Sequence, residues 1–258
     1  MLLAVDIGNT NTVMGVFTAR GLTHEWRIRT AVDTTIDEYG ITIRSLFQTS
    51  GCPMEDVRHV IISCVVPPVL HEMERFCSKY LNLVPLVVGP GIRTGMPIYY
   101  DNPKEVGADR IVNAVGAYDA FRQATVVVDF GTATTFDYIS DRGEYMGGVI
   151  SPGIMISCDA LFQKASKLPR VEIFARPPSI LAKNTITSMN AGIIYGYAGL
   201  VDGIISRIRK EVQTSFKVVA TGGLAPLIAS ECPSIDLVDD HLTLKGLRII
   251  FERNRKPS

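Results

Sequence analysis

Near its N-terminus the sequence contains Val5-Asp6-Ile7-Gly8-Asn9-Thr10-Asn11-Thr12, and about half a chain later it contains Val128-Asp129-Phe130-Gly131-Thr132-Ala133-Thr134-Thr135. Each stretch has an apolar run, then Asp, an apolar residue and Gly, followed by small hydroxyl or amide residues. This order predicts a strand, a tight turn at glycine and a returning strand. Because glycine lets backbone N–H groups approach an anion closely, and Asn and Thr side chains add donors, each turn is suited to phosphate.

The repetition predicts two lobes that grip one polyphosphate, with the aspartate of each strand placed to hold a cation or its bound water. The alternative is a pair of ordinary hairpins, since Asp-x-Gly between strands is a common hairpin sequence. The same order of residue types in both copies favours the phosphate interpretation. Neither copy contains a Walker loop or a Rossmann glycine fingerprint.

The composition is that of an ordinary globular protein. The chain has 258 residues, of which 47% are apolar and 20% charged, enough for one large domain or two small ones. A formal net charge of zero gives no electrostatic affinity for nucleic acid or an anionic membrane, so we expect neither partner. No apolar stretch is long enough to span a bilayer and the N-terminus lacks a basic signal segment, so we expect a cytoplasmic protein.

Five cysteines are scattered along the chain without any Cys-x-x-Cys pair, and the four histidines form no His-x-x-x-His pair. We therefore expect buried free thiols and no transition-metal site. The cysteines are Cys52, Cys64, Cys77, Cys158 and Cys232.

Hydrophobic periodicity predicts the same order of elements in both halves. The first half is predicted to form strands over 2–7, 12–18 and 22–29, a helix over 33–48 capped by Asp33 or Thr34, a strand over 57–66, a helix over 69–80 and a strand over 84–88. The second half is predicted to form strands over 124–129, 133–140 and 145–150, helices after Pro152-Gly153 and over 185–212, a strand over 217–220, a helix over 224–230, a strand over 235–238 and a helix over 242–254. This order predicts a duplicated α/β unit with lobes 1–122 and 123–258.

Gly107-Ala108-Asp109-Arg110 opens a further apolar-periodic helix over 111–121. A carboxylate in the first turn is stabilised by the helix dipole, so helix capping alone could explain Asp109. Alternatively, Asp109 accepts the proton of a substrate hydroxyl, and Arg110 binds a substrate carboxylate or the moving phosphoryl group with its planar fork.

In combination these segments resemble the type III pantothenate kinases, small members of the acetate and sugar kinase, heat-shock-70 and actin superfamily. The matching segments follow the family's order along almost the whole chain: 6–12, 102–110, 129–135, 147–153, 183–185 and 220–224. The resemblance implies an α/β fold of duplicated actin-like (ribonuclease H-like) lobes, each a mixed sheet flanked by helices, with ATP in the cleft between them. It further implies ATP-dependent phosphorylation of pantothenate, the first step toward coenzyme A.

The resemblance also assigns ligands to residues. The residues assigned to ATP are Asp6, Ile7, Gly8, Asn9, Thr10, Asn11, Thr12, Val13, Thr132, Gly222 and Gly223. Asp6 would lie near Mg²⁺, directly or through water, because Mg²⁺ keeps several waters and needs only one or two carboxylates. Asp129 would hold a monovalent cation, potassium or ammonium, whereas the residues alone would suggest a second Mg²⁺ ligand. Without the family, Gly222-Gly223 could equally be a plain strand-to-helix turn.

The residues assigned to pantothenate are Tyr100, Gly107, Ala108, Asp109, Arg110 and Thr185, with Asp109 as the base. Tyr100 could instead be a half-buried loop aromatic. Thr185 could cap the helix that follows it, and both roles can hold because a helix N-terminus also receives anions.

The family is homodimeric, with its pantothenate pocket near the subunit interface. The helix over 185–212 carries an apolar stripe interrupted by small residues, which suits close helix contact, although in a monomer the stripe would be core. We expect a two-fold dimer with Thr185 close to the partner chain. The stripe consists of Met189, Ile193, Tyr197, Leu200, Ile204 and Ile208.

Two other functions remain open from the sequence. A sugar or acetate kinase of the same superfamily is one, although a sugar site would be expected to present more Asp, Asn and Glu than the segment 107–110 does. A nonenzymatic accessory transcription regulator is the other, against which zero net charge and the lack of a helix-turn-helix pattern argue.

Overall fold

The computed structural model describes residues 1–169 and 176–255. Ten strands are present in these residues: β1 Leu2–Ile7, β2 Asn11–Thr18, β3 Gly21–Arg29, β4 His59–Cys64, β5 Leu86–Val87, β6 Thr125–Phe130, β7 Ala133–Ile139, β8 Tyr145–Pro152, β9 Lys217–Thr221 and β10 Leu237–Val238. Seven α-helices accompany them: α1 Ile36–Thr49, α2 Pro67–Phe76, α3 Ala108–Phe121, α4 Ile154–Lys164, α5 Thr185–Val212, α6 Ala225–Ala229 and α7 Leu242–Asn254.

The strands form two five-stranded mixed sheets with the same topology. The first has the order β3-β2-β1-β4-β5, and the second has the order β8-β7-β6-β9-β10. In each sheet the first three strands are antiparallel neighbours and the remaining two are added in parallel. The predicted duplicated α/β fold is therefore confirmed.

The backbone contacts divide the chain into two units. The first unit comprises residues 1–116 together with the chain from residue 242 onward, and the second comprises residues 117–241. The division falls within α3, and α7 packs against β1, β2 and β4 of the first sheet. The predicted lobes 1–122 and 123–258 place α7 with the other half of the chain, and these bounds stay a prediction.

Each sheet has a hydrophobic core on one face. In the first unit Val5 and Ile7 of β1 pack with Tyr39 and Phe47 of α1, all almost completely buried. Burial of one such side chain contributes roughly 1.5–3 kcal/mol. In the second unit the core residues of β6 and β7 pack with α4, α5 and α6.

The apolar stripe predicted on α5 belongs to the core of the second unit. Met189 and Ile193 are buried there, and the other four stripe residues are partly buried against the same core. The stripe therefore packs within its own unit, as expected of a core helix.

Two helix ends differ from the sequence prediction. The N-cap of α1 is Thr35, and Asp33 and Thr34 lie before it: the Thr35 side chain accepts from Glu38 N while the Glu38 carboxylate accepts from Thr35 N at 2.7 Å. This reciprocal pairing needs residues three apart, which selects Thr35. The helix predicted over 69–80, with Pro67-Pro68 opening it, does begin at Pro67, but it changes to one π-helical turn, Cys77–Leu81, which ends at a left-handed Asn82.

Among the described residues, every helix is too short or too polar to cross a bilayer.

Candidate functional site

The first hairpin, residues 6–13, joins β1 to β2. Its turn is closed by a hydrogen bond from Gly8 N to Asn11 O of 3.0 Å, and Asn9, Thr10 and Asn11 are exposed at its tip. The side chains of Ile7 and Thr12 are completely buried. These two residues therefore shape the turn from within, whereas its exposed tip offers both backbone and side-chain donors.

Asp6 places a carboxylate beside this turn. It lies opposite Val13 of β2 and next to Ser63 of β4 in the sheet register. Burial raises the pKa of the neighbouring Cys64 thiol, and the Asp6 and Asp109 carboxylates raise it further. The charges of both predicted site carboxylates therefore raise the pKa of the same half-buried thiol in the first unit.

Asp109 lies in the first turn of α3. Its Oδ1 accepts a hydrogen bond from Arg110 N at 2.8 Å, so the carboxylate does cap its helix. Burial raises the pKa of Asp109 above its ordinary value, while the backbone N–H and the charge of Arg110 oppose that rise. A carboxylate with a raised pKa is the better proton acceptor at neutral pH, so capping and base chemistry are compatible.

The residues around Asp109 support its position. The Arg110 side chain is only 7% exposed, which makes its guanidinium a largely desolvated charge within the first unit. A Cβ at Gly107 would lie 2.5 Å from Asp109 Oδ1. Glycine at this position therefore lets the carboxylate fold back against its own backbone.

Tyr100 lies in the loop between β5 and α3, and 36% of its surface is exposed. It precedes a short 3₁₀ turn, Pro103–Glu105, whose Asn102 cap accepts from Lys104 N at 3.3 Å. This loop leads directly into Gly107 and Asp109. A contact of Tyr100 with substrate stays a prediction.

The second hairpin, residues 129–135, joins β6 to β7. Its turn is closed by a hydrogen bond from Gly131 N to Ala133 O of 3.1 Å, and Gly131 and Thr132 are exposed. Asp129 is half-buried at the end of β6, in the position that Asp6 has in β1. The order of residues predicted a turn at this place in both units, and both turns are present. The second is one residue shorter, because Asp129 pairs with Thr135 whereas Asp6 pairs with Val13.

Two glycines pack closely against the second hairpin. Gly222 has a φ of +94°, and a Cβ there would lie 2.7 Å from both Asp129 Oδ1 and the Phe130 carbonyl oxygen. A Cβ at Gly153 would overlap with the Thr132 carbonyl oxygen and lie 2.6 Å from that of Gly131. Neither position has room for a side chain. Gly223, which follows, is exposed.

From the sequence, Gly147-Gly148 and Pro152-Gly153 could bracket a loop with special backbone angles, but the structure has a strand and a helix start here. Gly147, Gly148 and Pro152 are part of β8, and Gly153 is the N-cap of α4. The special backbone angle is found at Gly147, whose φ is +113°. The loop prediction was wrong because pairing with β7 continues through these glycines to Pro152.

Thr185 is the first residue of α5 and is exposed. The helix cap is Asn184, whose Oδ1 accepts from Thr187 N at 3.0 Å, so the prediction that Thr185 could cap this helix was wrong. An Asn one residue earlier reaches the N3 amide, which satisfies the helix end. The Thr185 hydroxyl is therefore not occupied by capping.

A cavity of about 990 Å³ adjoins Thr185 in the second unit. It is lined by residues of α4 and α5 and by segment 182–184. Its walls are mostly apolar, with a few hydroxyl and amide groups. Residues that line it include Ser157, Leu161, Asn184, Ser188, Gly192 and Tyr197.

Three residues near the hairpins were not singled out by the sequence. Cys64 lies in the field of two site carboxylates, Thr30 hydrogen-bonds to the first hairpin, and Ser63 is the register neighbour of Asp6. The spacing of residues in the sequence does not reveal them, because each approaches the hairpin from a distant part of the chain. The other four cysteines are buried, and all five are free as expected.

Comparison with known proteins gives a consistent result. A family model for type III pantothenate kinases matches residues 2–207. A type III pantothenate kinase from Syntrophobacter fumaroxidans is 77% identical over 256 residues, 99% of this chain and 99% of the relative. One from Syntrophus aciditrophicus is 60% identical over 254 residues, 98% of this chain and 100% of the relative.

Solved structures share the fold at low sequence identity. A candidate transcriptional activator of the Baf family from Campylobacter jejuni has a TM-score of 0.61 at 19% identity, over 98% of both chains. The inorganic polyphosphate/ATP-glucomannokinase from Arthrobacter has a TM-score of 0.51 at 14% identity, over 98% of this chain and 99% of the other. Together with the two mixed sheets, these neighbours establish the duplicated actin-like architecture.

Proposed function

The chain belongs to the type III pantothenate kinase family, and on that premise we propose how its residues carry out the family's reaction. The enzyme transfers a phosphoryl group from ATP to pantothenate, giving 4'-phosphopantothenate in the first step of coenzyme A biosynthesis. The main support for these roles is the environment of Asp109. Its carboxylate is half-buried, its pKa is raised, and it adjoins the desolvated Arg110.

Asp109 is the general base in this proposal. Its carboxylate accepts the proton of the pantothenate hydroxyl as that oxygen attacks phosphorus. Arg110 stabilises negative charge on the transferring phosphoryl group or on the substrate carboxylate. This stabilisation is larger than that from an exposed arginine, because the Arg110 guanidinium is desolvated. Gly107 and Ala108 contribute the backbone that holds the base, and Tyr100 and Thr185 contact pantothenate.

The first hairpin holds ATP phosphates and Mg²⁺. Its residues fit these groups, because Gly8 leaves the turn backbone uncovered and Asn9, Thr10 and Asn11 expose donors beside the Asp6 carboxylate. Mg²⁺ held by Asp6 would neutralise phosphate charge. Ile7, Thr12 and Val13 contribute by shaping the turn. This proposal extends to Thr132, Gly222 and Gly223 in the second unit.

Asp129 holds a monovalent cation, K⁺ or NH₄⁺. The donor set fits a hard cation, because the Asp129 carboxylate and the Phe130 carbonyl oxygen both lie close to Gly222, which has no side chain to cover them. Carboxylate and carbonyl oxygens are the ligands such cations prefer.

A homodimer in the cytoplasm is the proposed form of the enzyme. Apolar side chains around the cavity in the second unit support this assembly, because a large exposed apolar patch marks an interaction site. Those on α4 are Met155, Ile156, Leu161 and Phe162, each at least 40% exposed. Ile186 on α5 adds to the patch and adjoins Thr185.

Sedimentation velocity at micromolar concentration tests the dimer. Phe162→Glu should yield monomers with reduced specific activity, whereas Val84→Glu, at a 94% exposed residue of the first unit, should leave the dimer intact. A fully active wild-type monomer would contradict this assembly.

A coupled assay that detects ADP tests the activity, with MgATP and a panel of pantothenate, glucose, mannose and acetate. We expect turnover with pantothenate alone, and mass spectrometry should identify its phosphate ester. Turnover with a sugar or acetate in place of pantothenate would favour another kinase of the superfamily. An absence of turnover with any acceptor would favour the nonenzymatic regulator.

A further inference from the structure

Thr30, the residue that follows β3, makes two hydrogen bonds to the first hairpin. Its backbone N–H donates to the Thr10 carbonyl oxygen at 2.9 Å. Its hydroxyl lies 2.9 Å from the Thr12 hydroxyl, and either of the two can donate. One residue outside the hairpin therefore contacts both the exposed tip and the buried return of the turn.

The buried Thr12 hydroxyl needs the Thr30 hydroxyl as its hydrogen-bond partner. The Thr12 side chain is 0% exposed, so water cannot replace a lost partner of its hydroxyl. A buried hydroxyl without a partner is costly, so the Thr12 side chain and the strand that carries it are held where Thr30 places them. The half-buried Thr30 is in turn fixed by its backbone bond to Thr10.

We infer that Thr30 is a positioning residue for nucleotide binding, which acts by fixing the tip of the first hairpin in the geometry that receives phosphate. The inference rests on the proposed assignment of this hairpin to ATP. Thr30 itself makes no contact with the reacting atoms in this account. Its loss should therefore weaken ATP binding and leave the pantothenate side of the site unchanged.

Isothermal titration with the Mg²⁺ complex of a nonhydrolysable ATP analogue provides the direct test. Thr30→Val keeps the shape and removes the hydroxyl, and we expect its dissociation constant to rise about 5- to 10-fold. Thr30→Ser should restore binding to within about twofold, because it keeps the hydroxyl. In steady-state kinetics, the KM for ATP should rise in Thr30→Val while the KM for pantothenate stays at the wild-type value.

Thr23→Val is the matched control. Thr23 lies on β3 away from the hairpin, and its hydroxyl donates to Val16 O at 3.1 Å. It should bind the analogue like the wild type. Thr12→Val removes the same hydroxyl pair from the other side, so the double variant Thr12→Val/Thr30→Val should bind no more weakly than the weaker single variant. Additive losses in the double variant would overturn the pairing.

Asn11→Ala separates this inference from the proposed function. If Asn11→Ala weakens analogue binding and Thr30→Val does not, the positioning role of Thr30 is wrong and the hairpin assignment holds. If neither variant weakens binding, the hairpin assignment itself is wrong and the inference falls with it. Thermal melting of each variant shows whether a loss of binding reflects global unfolding.

Discussion

The first and second hairpins have similar residue patterns, but the second turn is one residue shorter and the two are supported in different ways. The first is held by hydrogen bonds that Thr30 makes with Thr10 and Thr12. The second is held by the close approach of backbone at Gly153 and Gly222, where no side chain fits. The repeated sequence therefore specifies a hairpin in each unit, while the length of its turn and its surroundings differ between the two.

The two modes of support differ in what they tolerate. A hydrogen bond survives a substitution that keeps the hydroxyl, whereas a contact between backbone atoms excludes every residue with a Cβ. The second hairpin should therefore be the more sensitive of the two to substitution in its neighbours.

The largest loss of stability is expected at Gly153. In Gly153→Ala the added methyl group would overlap with the Thr132 carbonyl oxygen, so the hairpin or α4 must move, and we expect the free energy of unfolding to fall by about 3 kcal/mol. Urea denaturation measures this loss. Gly199→Ala, at an open position of α5, is the control and should be neutral or stabilising. Equal stability of Gly153→Ala and wild type would remove the packing explanation.

A smaller loss is expected at Gly222. A left-handed φ of +94° disfavours alanine, and its Cβ would press on Asp129 and Phe130, so Gly222→Ala should lose about 2 kcal/mol. The same substitution should impair activation by K⁺ because it displaces the Asp129 carboxylate. Denaturation and a K⁺ titration of activity check the two effects, and an unchanged K⁺ titration would separate Gly222 from the cation site.

Cation dependence should distinguish the two aspartates. With Mg²⁺ constant, replacing K⁺ or NH₄⁺ by Na⁺ should lower turnover on the order of tenfold, equivalent to about 1.4 kcal/mol of lost charge stabilisation. Asp129→Asn should abolish the difference between K⁺ and Na⁺. Asp6→Asn should instead weaken the dependence on Mg²⁺ and keep the K⁺ preference. Equal rates of the wild type in all these salts would exclude the role given to Asp129.

The pH dependence should report the base in the first unit. Because the pKa of Asp109 is raised above 3.8, activity should fall as the pH is lowered through that raised value, where the base becomes protonated. Because the pKa of Asp109 is higher in the folded than in the unfolded protein, its ionised carboxylate lowers the free energy of unfolding at pH values above the raised pKa. This penalty vanishes at pH values below the ordinary pKa of an aspartate. Asp109→Asn should therefore melt at a higher temperature than wild type at pH 7, with a smaller difference at pH 4. A wild-type protein that is equally active down to pH 4 would argue against a raised pKa.

The topology could be predicted because each element carries its own local pattern. The bounds of α5 and α7 agree with the sequence prediction, since Asn184 caps a long periodic run and the pattern of α7 begins at Leu242. The two hairpins could be predicted from Asp-x-Gly followed by hydroxyl residues. These are all properties of consecutive residues.

Features that depend on distant residues could not be predicted. Three contacts join parts of the chain that no hydrophobic periodicity connects. They are the packing of α7 on the first sheet, the hydrogen bonds of Thr30 with the hairpin and the contact of Gly153 with Thr132. The raised pKa of Asp109 is likewise a consequence of burial, which the segment 107–110 alone does not reveal.

The most direct test of the central claim compares wild type with Asp109→Asn, with turnover of pantothenate and binding of the ATP analogue measured on the same preparations. We expect Asp109→Asn to bind the analogue to within about threefold of wild type and to lose about two to four orders of magnitude in turnover, the usual contribution of a general base. Turnover of Asp109→Asn within about tenfold of wild type would contradict the account and leave Asp109 only its role as a helix cap.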